Sequence, residues 1–490
     1  MMARHQLHLS LLIGSMTLIH AGSFDGSSLL PAVRQCDDPH VADATCFLPG
    51  QRWVPGVDST AAIRAALATN KSMVVIPRME TPWIVSTADS IPGATGGYCP
   101  GSCHALHMQG QENMTILIEA GAEIQAKRGD WHAPKMANVP LLMIEDCQNI
   151  SILGYQAKIS MWKEDYANTS LYNHSEFRFG IAVFDSSDLR ILGLNVSSTG
   201  GDGLYFEDVE NVFVKDVSLV DNFRQAMSVI SAENFTVEDS LLANTGGTWP
   251  MCGLDLEPDY PYQKFVNVTF RRVESRGNDG CGFSVAPGAL IGRPQQISIT
   301  FEDCIAEGNG ESGYSFQGLT SPNITGFVRI VRGAIRHQAS AGIIFFDKHP
   351  SVLVTLSHLA ITDTTSGGPG EGDEPLYGWW LRAPVVFQSY PDQVHPWQKF
   401  PFGGVWFDEL SVSYSRSNFS SHAAEWPWLR IYHIDCVEPT RLPSPGDANI
   451  TGMVSVYTET PATSCPGVSI DAAGPKVNVS VAVACNPITF

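Results

Sequence analysis

Small residues recur through the middle of the chain at intervals that few folds can use. Gly180, Gly203, Ala226, Gly253, Gly282, Gly313 and Gly342 are separated by 23, 23, 27, 29, 31 and 29 residues, a period that belongs to a solenoid of stacked coils. After each of them the first and third residues are apolar: Ile181/Val183, Leu204/Phe206, Met227/Val229, Leu254/Leu256, Phe283/Val285, Tyr314/Phe316 and Ile343/Phe345. Alternation with a period of two marks a strand with one buried face, so these pairs are expected to point inward and stack in columns. A second strand recurs at Asn149–Ile152, Asn211–Val214, Asn234–Val237 and Asn267–Phe270. Beyond Asp363 the regularity fades, and Ser366 to Asp373 has the glycines and proline of a linker. Strand signals return at Val405–Phe407, Leu410–Val412, Met453–Val456 and Val477–Val483. The expected organisation is a coiled body over residues 23–363, then irregular β coils or a C-terminal cap over 364–490, with a small separate β domain as the other reading.

Export is expected from the first residues. Arg4 and His5, an apolar run from Leu7 to Ile19 and then Ala21-Gly22-Ser23 have the layout of a secretory signal peptide, here assigned to residues 1–22. That run is too short to span a bilayer, and no later segment approaches the ~20 apolar residues a span needs. Twelve Asn-X-Ser/Thr sequons and eleven cysteines fit an oxidising, glycosylating route. Cys36 with Cys46 and Cys99 with Cys103 are close enough in sequence to pair. Cys436, Cys465 and Cys485 offer one more bridge, and Cys252 and Cys281 read as stacked structural residues or a disulfide. The net charge of -20 argues against a nucleic-acid partner. A secreted, extracellular monomer with no membrane span is expected.

If the first and third residues after each register position point inward, the second and fourth point out. Successive coils lie ~4.8 Å apart, which gathers Asp202, Tyr205, Arg224, Gln225, Ser228, Asp255 and Glu257 into one patch. Several carboxylates beside an arginine are the parts of acid and base catalysis, because like charges raise one carboxyl pKa while an arginine lowers another. Asp255, Glu257, Asp202 and Arg224 are therefore the candidate catalytic residues. The two strand acids have Cα atoms roughly 6.5–7 Å apart, compatible with the ~6.5–9.5 Å carboxyl separation of an inverting glycosidase. A long excursion between Ile159 and Gly180 is placed to wall this patch. From it Trp162, Tyr166, His174 and Arg178 are expected to bind substrate, together with Tyr205, Gln225 and, from the other side, Trp249.

The order Asp58-x-Thr-x-Ala-Ile-x-x-Ala, Val74-Val-Ile-Pro77 and Gly121-Ala-x-Ile124 resembles the entry segment of the pectin-lyase-like proteins. So does the combination of the Trp162 to Arg178 loop, Gly200-Gly-Asp-Gly203, Asp221-Asn-x-Arg-Gln225 and the run from Thr245 to Pro258. The resemblance covers roughly residues 50 to 360. It implies an all-β, right-handed parallel β-helix with a short N-terminal capping helix, and a carbohydrate-active protein. The polygalacturonase pattern of Asn-x-Asp, Asp-Asp, Gly-His-Gly and Arg-x-Lys is absent. The reading that follows is a glycoside hydrolase acting on an extracellular polysaccharide by carboxylate acid/base catalysis, with no cofactor. One alternative is a uronan lyase, in which Arg178 and Arg224 bracket the substrate carboxylate, Tyr205, Lys163 or His174 is the base, and Asp202, Asp255 and Glu257 hold Ca²⁺. The other is a polysaccharide-binding β-helix without activity.

Overall fold

Every register position opens a strand, and the strands stack in the expected order. The computed structural model describes residues 36–87, 104–132, 138–364, 383–388 and 403–413 in full, and the backbone alone in the strands Leu429–His433, Ala448–Thr458, Val468–Asp471 and Val477–Pro487. The signal-peptide assignment, Cys99–Cys103 and the linker at 366–373 lie outside the described residues. One sheet of twelve strands runs from Leu106–Gln109 to Val468–Asp471, each strand paired in parallel with its counterpart on the next coil. A second parallel sheet of 24 strands carries the remaining strand faces of the coils.

The inward columns are those read from the sequence. Ile181, Leu204, Met227, Leu254, Phe283, Tyr314 and Ile343 are register partners in turn, and each is fully buried. Aromatic rings stack within the inward columns, Phe283 on Tyr314 at 4.8 Å in this one and Phe345 on Phe387 at 4.6 Å in the column two residues further along each strand. At Gly203 crowding requires glycine. A Cβ on Gly203 would lie 2.6 Å from the Ala226 carbonyl oxygen, the backbone of the next coil.

Coils turn on Asn and Asp in the left-handed region, which these residues tolerate because their short polar side chains bond locally. Asn149, Asn211, Asn234 and Asn267 all have φ between 53° and 55°. Their amides form a ladder on the outer surface, Asn149 donating to Asn113, Asn234 to Asn211 and Asn267 to Asn234. The helix expected near Asp58 is present as Thr60–Leu67, with Ala62, Ile63, Ala66 and Leu67 buried toward the first coils. Disulfides join Cys36 to Cys46 and Cys252 to Cys281, while Cys147 and Cys304 are buried free thiols. Parallel pairing continues past residue 364: Val385–Ser389 extends the first sheet and Gly403–Tyr414 the second, through to Val477–Pro487. No described helix is long and apolar enough to cross a membrane.

Candidate functional site

Three consecutive strands supply the floor. Tyr205, Ser228 and Asp255 are register partners on Leu204–Glu207, Met227–Val229 and Leu254–Leu256, followed by Ser284 on Phe283–Val285. Above them Arg224 leaves the turn before Met227 and stands among four carboxylates. Its Nη1 lies 3.4 Å from Asp202 Oδ2 and its Nη2 3.6 Å from Glu257 Oε2. Its Nε lies 3.0 Å from Glu176 Oε2, close enough for an ion pair but off the N–H line. The guanidinium thus answers the negative charge at the centre of the cluster. Among the described residues no group of three or more His, Cys, Asp or Glu is arranged to hold a metal ion.

The acids differ in access. Asp202 is wholly buried and Asp255 is 2% exposed, whereas the Glu257 side chain is 47% exposed. Asp202 accepts the Gln225 backbone N–H at 3.1 Å, and burial raises its carboxyl to about 6 against the pull of Arg224. Asp255 Oδ2 accepts from Gln225 Nε2 at 2.9 Å, while Oδ1 has no N–H donor within reach. The carboxyl of Glu257 lies near enough to Asp255 for their like charges to repel. Burial first, and then the Asp255 charge, raise Glu257 to about 7; burial also raises Asp255. Like charge disfavours ionising both, and of the two Glu257 is the one that reaches solvent.

Asp255 and Glu257 sit two residues apart on one face, and the charge of Asp255 is felt at Glu257. The partner that sequence reasoning left out of the site is Glu176. It reaches Arg224 because Phe177-Arg178 pairs antiparallel with Gly200-Gly201. A Cβ on Gly201 would come 2.3 Å from the Glu176 carbonyl oxygen, so the glycine pair is what admits this segment. The only signal in the sequence was an acid two residues ahead of Arg178.

Several expected substrate-binding residues are turned away from solvent. Arg178 has no exposed surface; it donates to the carbonyls of Trp131, Ser175 and Asn173 at 2.9, 3.3 and 3.0 Å, between the rings of Tyr166 and Tyr172. It therefore does not bracket a ligand with Arg224, and Tyr166, 2% exposed, offers no ring face. Gln225 is fully buried, its Oε1 accepting the Cys252 N–H at 2.7 Å and its Nε2 on Asp255. Tyr205 is 8% exposed, stacked on Phe179 at 4.6 Å with its hydroxyl donated to Glu207 at 2.9 Å. Burial and the Glu207 charge raise its phenol, which leaves it a poor base.

Trp162 is half-buried and donates its Nε1 to the Ala126 carbonyl at 2.7 Å. Lys163 is paired with Asp221 at 2.8 Å. His174 and Trp249 do face solvent, and His174 touches the Thr248 hydroxyl at 3.0 Å. That contact joins the 161–178 excursion to the loop before Cys252, so the two walls meet beside Phe223.

No protein-family model matches the chain. A stretch of 149 residues is 26% identical to the uncharacterized protein YclG of Bacillus subtilis (strain 168), spanning 27% of this chain and 26% of that one. The match covers about a quarter of that relative's length. Among solved structures, the A-module of mannuronan C-5 epimerase AlgE6 from Azotobacter vinelandii superposes with a TM-score of 0.61 at 14% identity, covering 91% of this chain and all of the module. The AlgE4 A-module gives 0.57 at 13% identity, with the same coverage. A mutant tailspike protein of E. coli bacteriophage HK620 in complex with a pentasaccharide gives 0.55 at 12%, covering 95% of this chain and 82% of the tailspike. With the parallel register of its coils, this likeness establishes the fold: the chain is a right-handed parallel β-helix.

Proposed function

We propose that the chain is a secreted glycoside hydrolase that cleaves an extracellular polysaccharide, with Glu257 as its proton donor. One observation carries the reading. Glu257 is the accessible acid of the cluster, and burial first, then the charge of buried Asp255, raise its carboxyl to about 7, which is the state a general acid needs near neutral pH. Glu176, 30% exposed on the Nε side of Arg224, is the second carboxylate and serves as the base that activates water. Asp202 and Asp255 lie beneath the surface and act through others, Asp202 by holding Arg224 and Asp255 by holding the proton on Glu257. The fold neighbours support a carbohydrate ligand, since one is a mannuronan epimerase and another holds a pentasaccharide.

The test is incubation with a panel of plant, algal and animal polysaccharides scored for new reducing ends, with Glu257→Gln and Glu176→Gln alongside. Cleavage lost in both variants supports the assignment; activity surviving in both removes it. A uronan lyase is the second reading, favoured by the 17% of the Arg224 side chain that remains exposed to meet a substrate carboxylate. Its signature is an unsaturated, ultraviolet-absorbing product, lost with a chelator if Ca²⁺ takes part. Binding across the panel with no cleavage would leave a polysaccharide-binding protein.

A further inference from the structure

The strand bearing Asp255 runs on into Asp259-Tyr260-Pro261-Tyr262-Gln263, where two aromatic rings stand in water. Tyr260 and Tyr262 are 50% and 53% exposed, and their rings stack on each other at 5.3 Å with planes 6° apart. The turn beneath them is held from several sides. Fully buried Gln263 accepts the N–H groups of Asp259 and Tyr260 at 2.6 and 2.9 Å and donates to Glu207 at 3.2 Å. Arg293 and Gln295 both donate to the Pro261 carbonyl at 2.9 Å. A tyrosine pair fixed this firmly, with ring faces uncovered, is pre-organised for a flat apolar partner, and the face of a pyranose ring is one.

The surroundings narrow that partner by charge. Glu145, Phe184 and Glu207 are register partners, and Asp146, Asp185 and Asp208 follow them at left-handed turn positions. Among the described residues, Asp146, Asp185, Glu207, Asp208 and Asp259 have no ion-pair partner; Glu145 faces His107 at 3.1 Å. Tyr262 is tied to this edge through its neighbour Gln263, which donates to Glu207 at 3.2 Å; desolvation, then the charges of Asp208 and Glu207, raise its phenol. A carboxylated sugar would meet like charge here, and an ammonium group the opposite.

We propose that Tyr260 and Tyr262 form a subsite for an amino-sugar residue of the polysaccharide, its ring on the tyrosine face and its ammonium group toward Glu207 and Asp208. The proposal rests on the carbohydrate reading above and names its substrate class. It is tested by calorimetric titration of the whole protein with a glucosamine oligomer, its fully N-acetylated counterpart and an oligogalacturonate of equal length, at low and high salt. The glucosamine oligomer should bind tightest and weaken with salt. Replacing both tyrosines by alanine should weaken it about tenfold, and Asp208→Asn should narrow its advantage over the acetylated oligomer. Equal or tighter binding of the acetylated or uronate oligomer, no effect of the tyrosine substitutions, or no binding of any of the three would overturn the proposal. Because binding is read without turnover, a chain that binds the amino sugar and cleaves nothing sinks the hydrolase reading alone, and one that cleaves a neutral polymer sinks only the subsite.

Discussion

Glu176 lies 3.0 Å from the Nε of Arg224 although the two residues belong to different coils and different kinds of segment. One immediately precedes a two-residue antiparallel strand, Phe177–Arg178, inserted from a loop; the other stands on the turn before a core strand. Their meeting converts a row of outward acids into a site with two accessible carboxyls on either side of one guanidinium. The predictions below test what that arrangement does.

Glu257→Gln should lower turnover by about 10²–10⁴-fold while leaving the fold intact, because the side chain is half-exposed and its removal opens no cavity. Activity of the natural chain on its polysaccharide should fall as pH rises through about 7, where Glu257 gives up its proton. A rate that continued to climb through that range would rule out Glu257 as the acid.

Stability should run opposite to the usual carboxylate trend between pH 4 and 7. Asp202 rises from 3.8 to about 6 on folding and Glu257 from 4.5 to about 7. Groups raised in this way contribute stability that is full below their unfolded pKa and is lost as pH passes the folded value. The urea midpoint should therefore decline from pH 4 to pH 7, and Asp202→Asn with Glu257→Gln should flatten the decline. A midpoint that rises across this window contradicts the burial of these acids.

Arg178→Met should cost roughly 3 kcal/mol, since it takes the donor from two buried carbonyls, those of Trp131 and Ser175, and from the partly buried carbonyl of Asn173. It should also release the segment that presents Glu176. The expected result is faster proteolysis between Asn168 and Ser175 together with lost activity; a variant as protease-resistant as the natural chain would show that Arg178 does not anchor the loop.

Replacing Cys252 and Cys281 by serine should lower stability by about 3 kcal/mol from loop entropy, the bridge closing 29 residues. Cys252 also donates its backbone N–H to Gln225, which holds Asp255. Activity should accordingly fall with stability rather than survive it, measured at a temperature where the variant remains folded.

The coil fold was legible because its signal is local and repeated: a small residue where the next coil's carbonyl crowds in, then two inward apolar residues. Asp202, Arg224, Asp255 and Glu257 were legible as a group for the same reason, since strand alternation sets their face. What alternation does not set is where side-chain tips go, so the gathering of Glu176, Asp202 and Glu257 around the Arg224 guanidinium stayed hidden. Arg178 was misread because arginine is normally found at the surface; here loop carbonyls and two tyrosines, all outside the repeat, supply its solvation. Glu176 depends on an antiparallel pairing across the excursion, and no periodicity encodes that.

The outer asparagine ladder ties chemical modification to the order of assembly. Asn149, Asn234 and Asn267 each begin a sequon, and each spends its Nδ2 on the amide of the preceding coil. That nitrogen is also the atom a glycan would take. A sugar attached while the chain is still emerging would have to be accommodated when the coil closes against its neighbour, whereas a coil that closes first withholds the nitrogen from the transferase. In a glycosylating compartment, occupancy at these three positions would record how quickly each coil folded relative to its synthesis, preserved in the mass of the finished protein.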